Sequence, residues 1–183
     1  MILPIYIYGS GVLRKECQDI DQSYPELGKL IEDMFTTMYA SEGVGLAAPQ
    51  IGKDIRLFVV DGTPFEDVDP TAKDFKKVFI NPEIYEESEE EVLMNEGCLS
   101  VPGIHEDVYR PETIRINYLD ENFEEHDEEL TGWPARIVQH EYDHLDGLVF
   151  TDRLSTIRKT MLRNKLNAMA KGKYSCAYRS KQK

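Results

Sequence analysis

The chain has 183 residues, 41% hydrophobic and 30% charged, the balance of a single globular domain long enough to bury a core. No apolar run approaches a membrane span, and three scattered cysteines are too few for a disulfide framework, which favours a reducing, cytoplasmic setting and no membrane partner. The net charge of −13 is unevenly spread: ten of the 21 basic residues lie from Arg153 onward, where no acidic residue occurs, and such asymmetry suggests a polyanionic partner for that segment alone.

Met1 to Tyr8 is apolar but short, without the basic start and cleavage site of a signal peptide, and reads as a strand or extended arm. Ser23-Tyr24-Pro25-Glu26 reads as a helix start, with Ser23 as cap and Glu26 reaching back as in a capping box. Leu27, Leu30, Ile31, Met34, Phe35 and Met38 then recur at helical spacing and predict one buried face. Cys17, nearby, reads as a small packed hydrophobe. Glu42 to Gln50 is a loop of small residues that lets a backbone approach a ligand closely, or else a tight connection into the next strand. Ile55 to Asp61 and Val78 to Pro82 read as strands. Between them, the acidic residues 62–76 either rim a site or form a solvated insertion, and the insertion is favoured. Glu86 to Glu91 reads as an acidic turn. Thr113 to Leu119 alternates as a strand, and Phe123 to Leu130 is expected to pair back on it. A last helix, about 155–171, starts at Ser155 or Thr156, and 172–183 is expected to be a mobile basic tail. Helix, strands, helix, helix in one domain over 1–171 predicts an α+β fold, with antiparallel sheet around a central helix.

That central helix carries Gln139-His140-Glu141-Tyr142-Asp143-His144. Pro134 suits a first turn, Gly147 is placed to end the helix, and Ile137, Val138, Leu145 and Leu148 supply an apolar side. At 100° per residue, His140 and His144 lie about 40° apart and one turn (about 6 Å) along the axis, so both imidazoles reach one metal ion. Glu141 falls at the edge of that face, placed to act as general base. Paired histidines also occur as ordinary surface residues, so the pattern needs a third ligand. Cys98, in Glu96-Gly97-Cys98-Leu99-Ser100, is the natural one. One Cys and two His leave a fourth position open for water.

Gly43-Val44-Gly45-Leu46-Ala47-Ala48-Pro49-Gln50, Glu96 to Ser100 and Gln139 to His144 together resemble the three signature motifs of bacterial peptide deformylases. Gly11-Val12-Leu13-Arg14-Lys15 resembles that family's N-terminal segment, and the likeness spans roughly residues 4–170. It implies removal of formate from the N-formylmethionine of newly made polypeptides. It implies Cys98, His140 and His144 as ligands of one divalent metal, iron(II) in the cell, with nickel, cobalt or zinc accepted. Glu141 is then the acid/base, Gln50 and the Leu99 N–H are oxyanion donors, and Gly45 and Gly97 belong to the peptide-binding edge. By position, Val44, Trp133 and Ile137 are candidates for the methionine pocket. His105 stands where some bacterial members carry an arginine that meets the peptide, so that contact is not carried over. Arg110 and Asp143 read either as a pair orienting the metal helix or as two solvated charges. The segment from Arg153 either docks on ribosomal RNA near the nascent-chain exit, with no call for DNA, or packs as an amphipathic helix on the acidic body.

Two other readings compete. A metallopeptidase shares the helix motif, but usually takes its third ligand from downstream of it, and none follows His144 at the usual spacing. A structural metal site needs four protein ligands; Cys17, Cys176, His105 and His126 have no motif spacing to the other three.

Overall fold

The structure, a computed structural model, describes residues 1–182. Its regular elements are β1 (Ile5–Tyr6), α1 (Leu27–Ala40), β2 (Gly45–Ala47), β3 (Leu57–Asp61), β4 (Lys76–Glu87), β5 (Glu91–Cys98), β6 (Val101–Pro111), β7 (Thr113–Leu119), β8 (Glu125–Thr131), α2 (Gly132–Leu145), α3 (Thr156–Ala170) and β9 (Ser180–Lys181). Strands β2-β3-β4-β7-β8 form one antiparallel sheet in that order, β5 and β6 form a separate hairpin, and β1 pairs with β9 in parallel. The fold is α+β, with α2 at its centre.

The uninterrupted apolar run of β3 has a simple cause, because the strand is buried on both faces. Leu57 and Val59 pack with Ile31, Met34 and Met38 of α1. Phe58 and Val60 pack with Ala135, Ile137, Val138 and Leu145 of α2, and the far side of that layer is completed by Phe79, Ile114, Ile116 and Tyr118. A third cluster joins Ile5 and Ile7 to Val101, Ile104 and Val108 of β6 and to Leu166 and Met169 of α3. The metal-motif helix therefore lies between the sheet and the β5–β6 hairpin. Cys17 is buried in the second of these cores, as a packed hydrophobe.

Several boundaries differ from the expectation. α1 begins at Leu27 rather than near Ser23, and its N-cap is Glu26 in a left-handed conformation with no side-chain cap. The Ser23 N–H instead bonds Asp21 Oδ1 at 2.8 Å, a local turn. A missing cap costs about 1 kcal/mol, while burying Met34, Met38 and Ile31 stabilises by roughly 1.5–3 kcal/mol each, so packing holds the helix. Leu148 lies past the end of α2 and is exposed. β4 runs through Pro82 to Glu87, with register shifts between Ile80 and Glu83 and between Ile84 and Glu86, and the Asn81 side chain exchanges two hydrogen bonds with the backbone of Ile20.

Residues 62–76 are not a solvated insertion. Phe75 and Ala72 are buried, Asp69 accepts the Trp133 N–H at 2.7 Å, and the Phe65 ring stacks on Trp133 at 4.1 Å between centroids. The segment after α3, set apart as a mobile tail, folds back onto the body: Ile5 N–H bonds Arg179 O and Ile7 N–H bonds Lys181 O, each at 3.0 Å.

Candidate active site

Three elements converge on one cleft of about 590 Å³. The first is the segment through β2 into the 3-10 turn Ala48–Ile51. The second is the end of β5, where the pairing register shifts between Gly97 and Cys98, a bulge that re-aims the side chain. The third is α2. Val44, Gly45, Gln50, Gly97, Cys98, Leu99, Trp133, Ile137, His140 and Glu141, all singled out from the sequence, line this cleft, and His144 lies behind Cys98.

Cys98, His140 and His144 can each turn a ligand atom to a common point, with those atoms within 4.8 Å of one another; Cys98 Sγ is 3.3 Å from His144 Nε2. His140 Nδ1 lies 2.8 Å from Glu96 Oε1, which directs the lone pair of Nε2 into the cleft. Burial opposes a charge on His140, yet its hydrogen bonds to Cys98 and Glu96 raise its basicity well above normal; this corner of the site favours positive charge. Burial and the neighbouring His140 charge push His144 down to about 3, leaving a neutral imidazole. One cysteine sulfur and two imidazoles whose ligand atoms converge fit a divalent transition metal, with iron(II) and zinc both compatible.

Glu141 is buried, and burial pushes its carboxyl up to about 7, close to the working range of a general base. Its Oε2 has no hydrogen-bond partner in the protein, the signature of an atom kept for a ligand or water. Gly45 makes room for it: a Cβ there would sit 2.8 Å from Glu141 Cγ, so no larger residue fits without displacing the carboxylate.

Gln50 is held at both ends of its amide. Its Oε1 accepts the Ala47 N–H at 2.9 Å, and its Nε2 faces Ser100 Oγ at 3.1 Å and Cys98 Sγ at 3.5 Å. One N–H is thereby directed at Cys98 of the cluster and the other at Ser100.

Beneath the histidines lies a buried ionic network. Glu96 takes two bonds from Arg110 (2.6 and 2.9 Å), one from Arg136 (2.7 Å) and one from His140. Arg110 also reaches Asp143 Oδ2 at 2.8 Å, and Arg153 clamps Asp143 with two bonds of 2.6 Å. Arg110 is 1% exposed and Asp143 3%, which rules out the solvated alternative for that pair. Burial works against the Glu96 charge, but His140 and Arg110 outweigh it and hold the carboxyl far below its usual range. The part played by Glu96 escaped the sequence reading. The signal was there: Val92, Met94, Glu96 and Cys98 alternate on one face of β5, and only one of the four is an acid. His105 faces Gly97 across the hairpin, its ring 2.6 Å from where a Gly97 Cβ would stand. A side chain at 97 would collide with it.

Fold and site define a metal-dependent hydrolase with a Cys-His-His centre. The chain belongs to the polypeptide deformylase family, whose sequence model matches residues 2–160. It is 50% identical to a peptide deformylase of Christiangramia forsetii, over 98% of this chain and 95% of that one. Among solved structures, it resembles the peptide deformylase of Thermotoga maritima (39% identity, TM-score 0.76, covering 85% of this chain and 99% of that one). The Legionella pneumophila enzyme gives a TM-score of 0.80 at 37% identity, covering 93% of this chain and 96% of that one. No helix among the described residues is long and apolar enough to cross a membrane.

Proposed function

We propose that this chain hydrolyses the N-formyl group of N-formylmethionyl peptides emerging from the ribosome, releasing formate and a free amino terminus. The observation that carries the reading is a buried Glu141 carboxylate, its Oε2 unpartnered, next in sequence to His140 of a Cys-His-His cluster in an open cleft. Cys98, His140 and His144 would hold one divalent metal, iron(II) in the cell, which would supply Lewis acidity and lower the pKa of water.

The chain's own residues account for the rest. Glu141 takes a proton from the attacking water and returns it to the departing amine nitrogen. Gln50 Nε2–H and the Leu99 N–H donate to the oxyanion as it develops; losing one such donor typically costs about 3–4 kcal/mol of transition-state stabilisation. Gln50 is pre-set for this by the Ala47 N–H on its other end. The apolar surface of Val44, Ile137 and Trp133, closed by Phe65, offers a place for the methionine side chain. Gly45 and Gly97 present backbone for the peptide to lie along. A formyl carbon carries only hydrogen, so the crowding of Glu141 against Gly45 suits it over bulkier acyl groups.

The test is formate release from a formyl-Met-Ala peptide by protein purified without oxygen and loaded in turn with iron(II), nickel, cobalt and zinc. Turnover with iron(II) is expected. No release with any of the four would sink the reading.

The basic α3 supports a further part of it, contact with the ribosome near the nascent-chain exit. Arg158 is committed to Glu106 and Lys165 to the Gly103 carbonyl, but Lys159 and Arg163, one turn apart, are exposed. Reversing both charges (Lys159→Glu with Arg163→Glu) should abolish co-sedimentation with ribosomes at moderate salt and leave formate release from a small peptide unchanged. Undiminished co-sedimentation would remove α3 from consideration.

A further inference from the structure

One wall of the catalytic cleft comes from none of the three motifs. Ser175, Cys176 and Tyr178 line it, and they lie beyond residue 160, where the family match ends. This return segment is held by the β1–β9 pairing, and by the Gln182 side chain, whose Nε2 donates to Tyr8 O at 2.8 Å and to Met169 O at 2.6 Å. Half-buried Tyr178 packs in the cluster that includes Cys98 and Leu99, and its hydroxyl donates to the Leu99 carbonyl.

Leu99 and Ser100 form the two-residue turn between paired Cys98 and Val101. They are gripped from two directions. Ser100 Oγ meets Gln50 on the cleft side, while the Ser100 carbonyl accepts the Tyr8 N–H at 2.8 Å on the other. A residue has two soft backbone rotations. Fixing the Leu99 carbonyl holds ψ of Leu99 and the peptide plane shared with the Ser100 N–H, which leaves φ as the one soft rotation by which the Leu99 N–H can turn against that plane. We propose that Tyr178 is a positioning residue for catalysis: by holding the Leu99 carbonyl, it aims the Leu99 N–H at the oxyanion. The inference rests on the reading of Leu99 as an oxyanion donor given above.

The experiment compares metal-loaded, full-length parent, Tyr178→Phe and Tyr174→Phe for formate release from formyl-Met-Ala peptide, with kcat and KM separated. Tyr174 packs in the same cluster, but its hydroxyl pairs with Ser180 Oγ at 3.0 Å, so both variants lose one hydroxyl hydrogen bond of the same segment. Tyr178→Phe should lower kcat by about fivefold to tenfold, the effect of roughly one hydrogen bond felt in the transition state, with KM within about twofold. Tyr174→Phe should keep both constants. A Tyr178→Phe enzyme with parental kcat would overturn the inference alone, and equal losses in both variants would overturn it in favour of simple packing. An inactive parent would overturn the deformylase reading and this inference with it.

Discussion

Glu141→Gln is expected to lower kcat for formate release by about 10²- to 10⁴-fold, the usual contribution of a positioned general base, while metal content stays at one ion per chain. The amide keeps the shape of the carboxylate beside Gly45 but accepts no proton from water. The variant should also be at least as stable as the parent. Glu141 is a buried acid with one oxygen unpartnered, and such a group costs stability that the neutral amide does not. Activity and thermal unfolding measured on the same preparation check both halves. A kcat within tenfold of the parent would assign the base elsewhere.

Glu96→Ala should be the most damaging single change outside the ligands. It removes the acceptor for Arg110, Arg136 and His140 at once, and leaves two guanidinium groups buried with one partner fewer each. Breaking a buried ion pair by removing one side typically costs about 3–5 kcal/mol. His140 also loses the group that orients its ring, a change that usually weakens metal binding by about 10- to 100-fold. Denaturant unfolding and metal titration would report the two effects separately. A loss below about 1 kcal/mol would mean that the network does not anchor α2.

The parts legible in the sequence are those whose side chains obey a local rule. α2 announces itself through Pro134, its apolar spacing and the two histidines, and α3 through Ser155, which accepts the Arg158 N–H as an N-cap. The pairing of β7 with β8 follows from alternation. β6 was not seen, because Pro102 and Gly103 interrupt its inward row of Val101, Ile104 and Val108, and Arg110 takes an inward position that reads as a surface charge. Its burial depends on Glu96 and Asp143, which come from elsewhere in the chain. Residues 62–76 were misread because five acidic or basic residues between Glu66 and Asp74 mask the few contacts that matter, Phe65 on Trp133 and Asp69 on its N–H. The return of residues 172–182 has no apolar periodicity to detect: backbone pairing with β1 and single tyrosine contacts hold it, and neither leaves a pattern in sequence.

The parallel pairing of Ile5 with Ser180 has a consequence for the order of folding. Closing a loop that long in an unfolded chain costs roughly 4–5 kcal/mol, more than a few ladder hydrogen bonds at about 1 kcal/mol each return. β9 must therefore dock late, once the body has brought β1 and the end of α3 together. Refolding should show the sheet and α2 forming first, with catalytic competence lagging until the last strand closes, and a chain still short of residues 178–181 would hold its ligands before it could work at full speed.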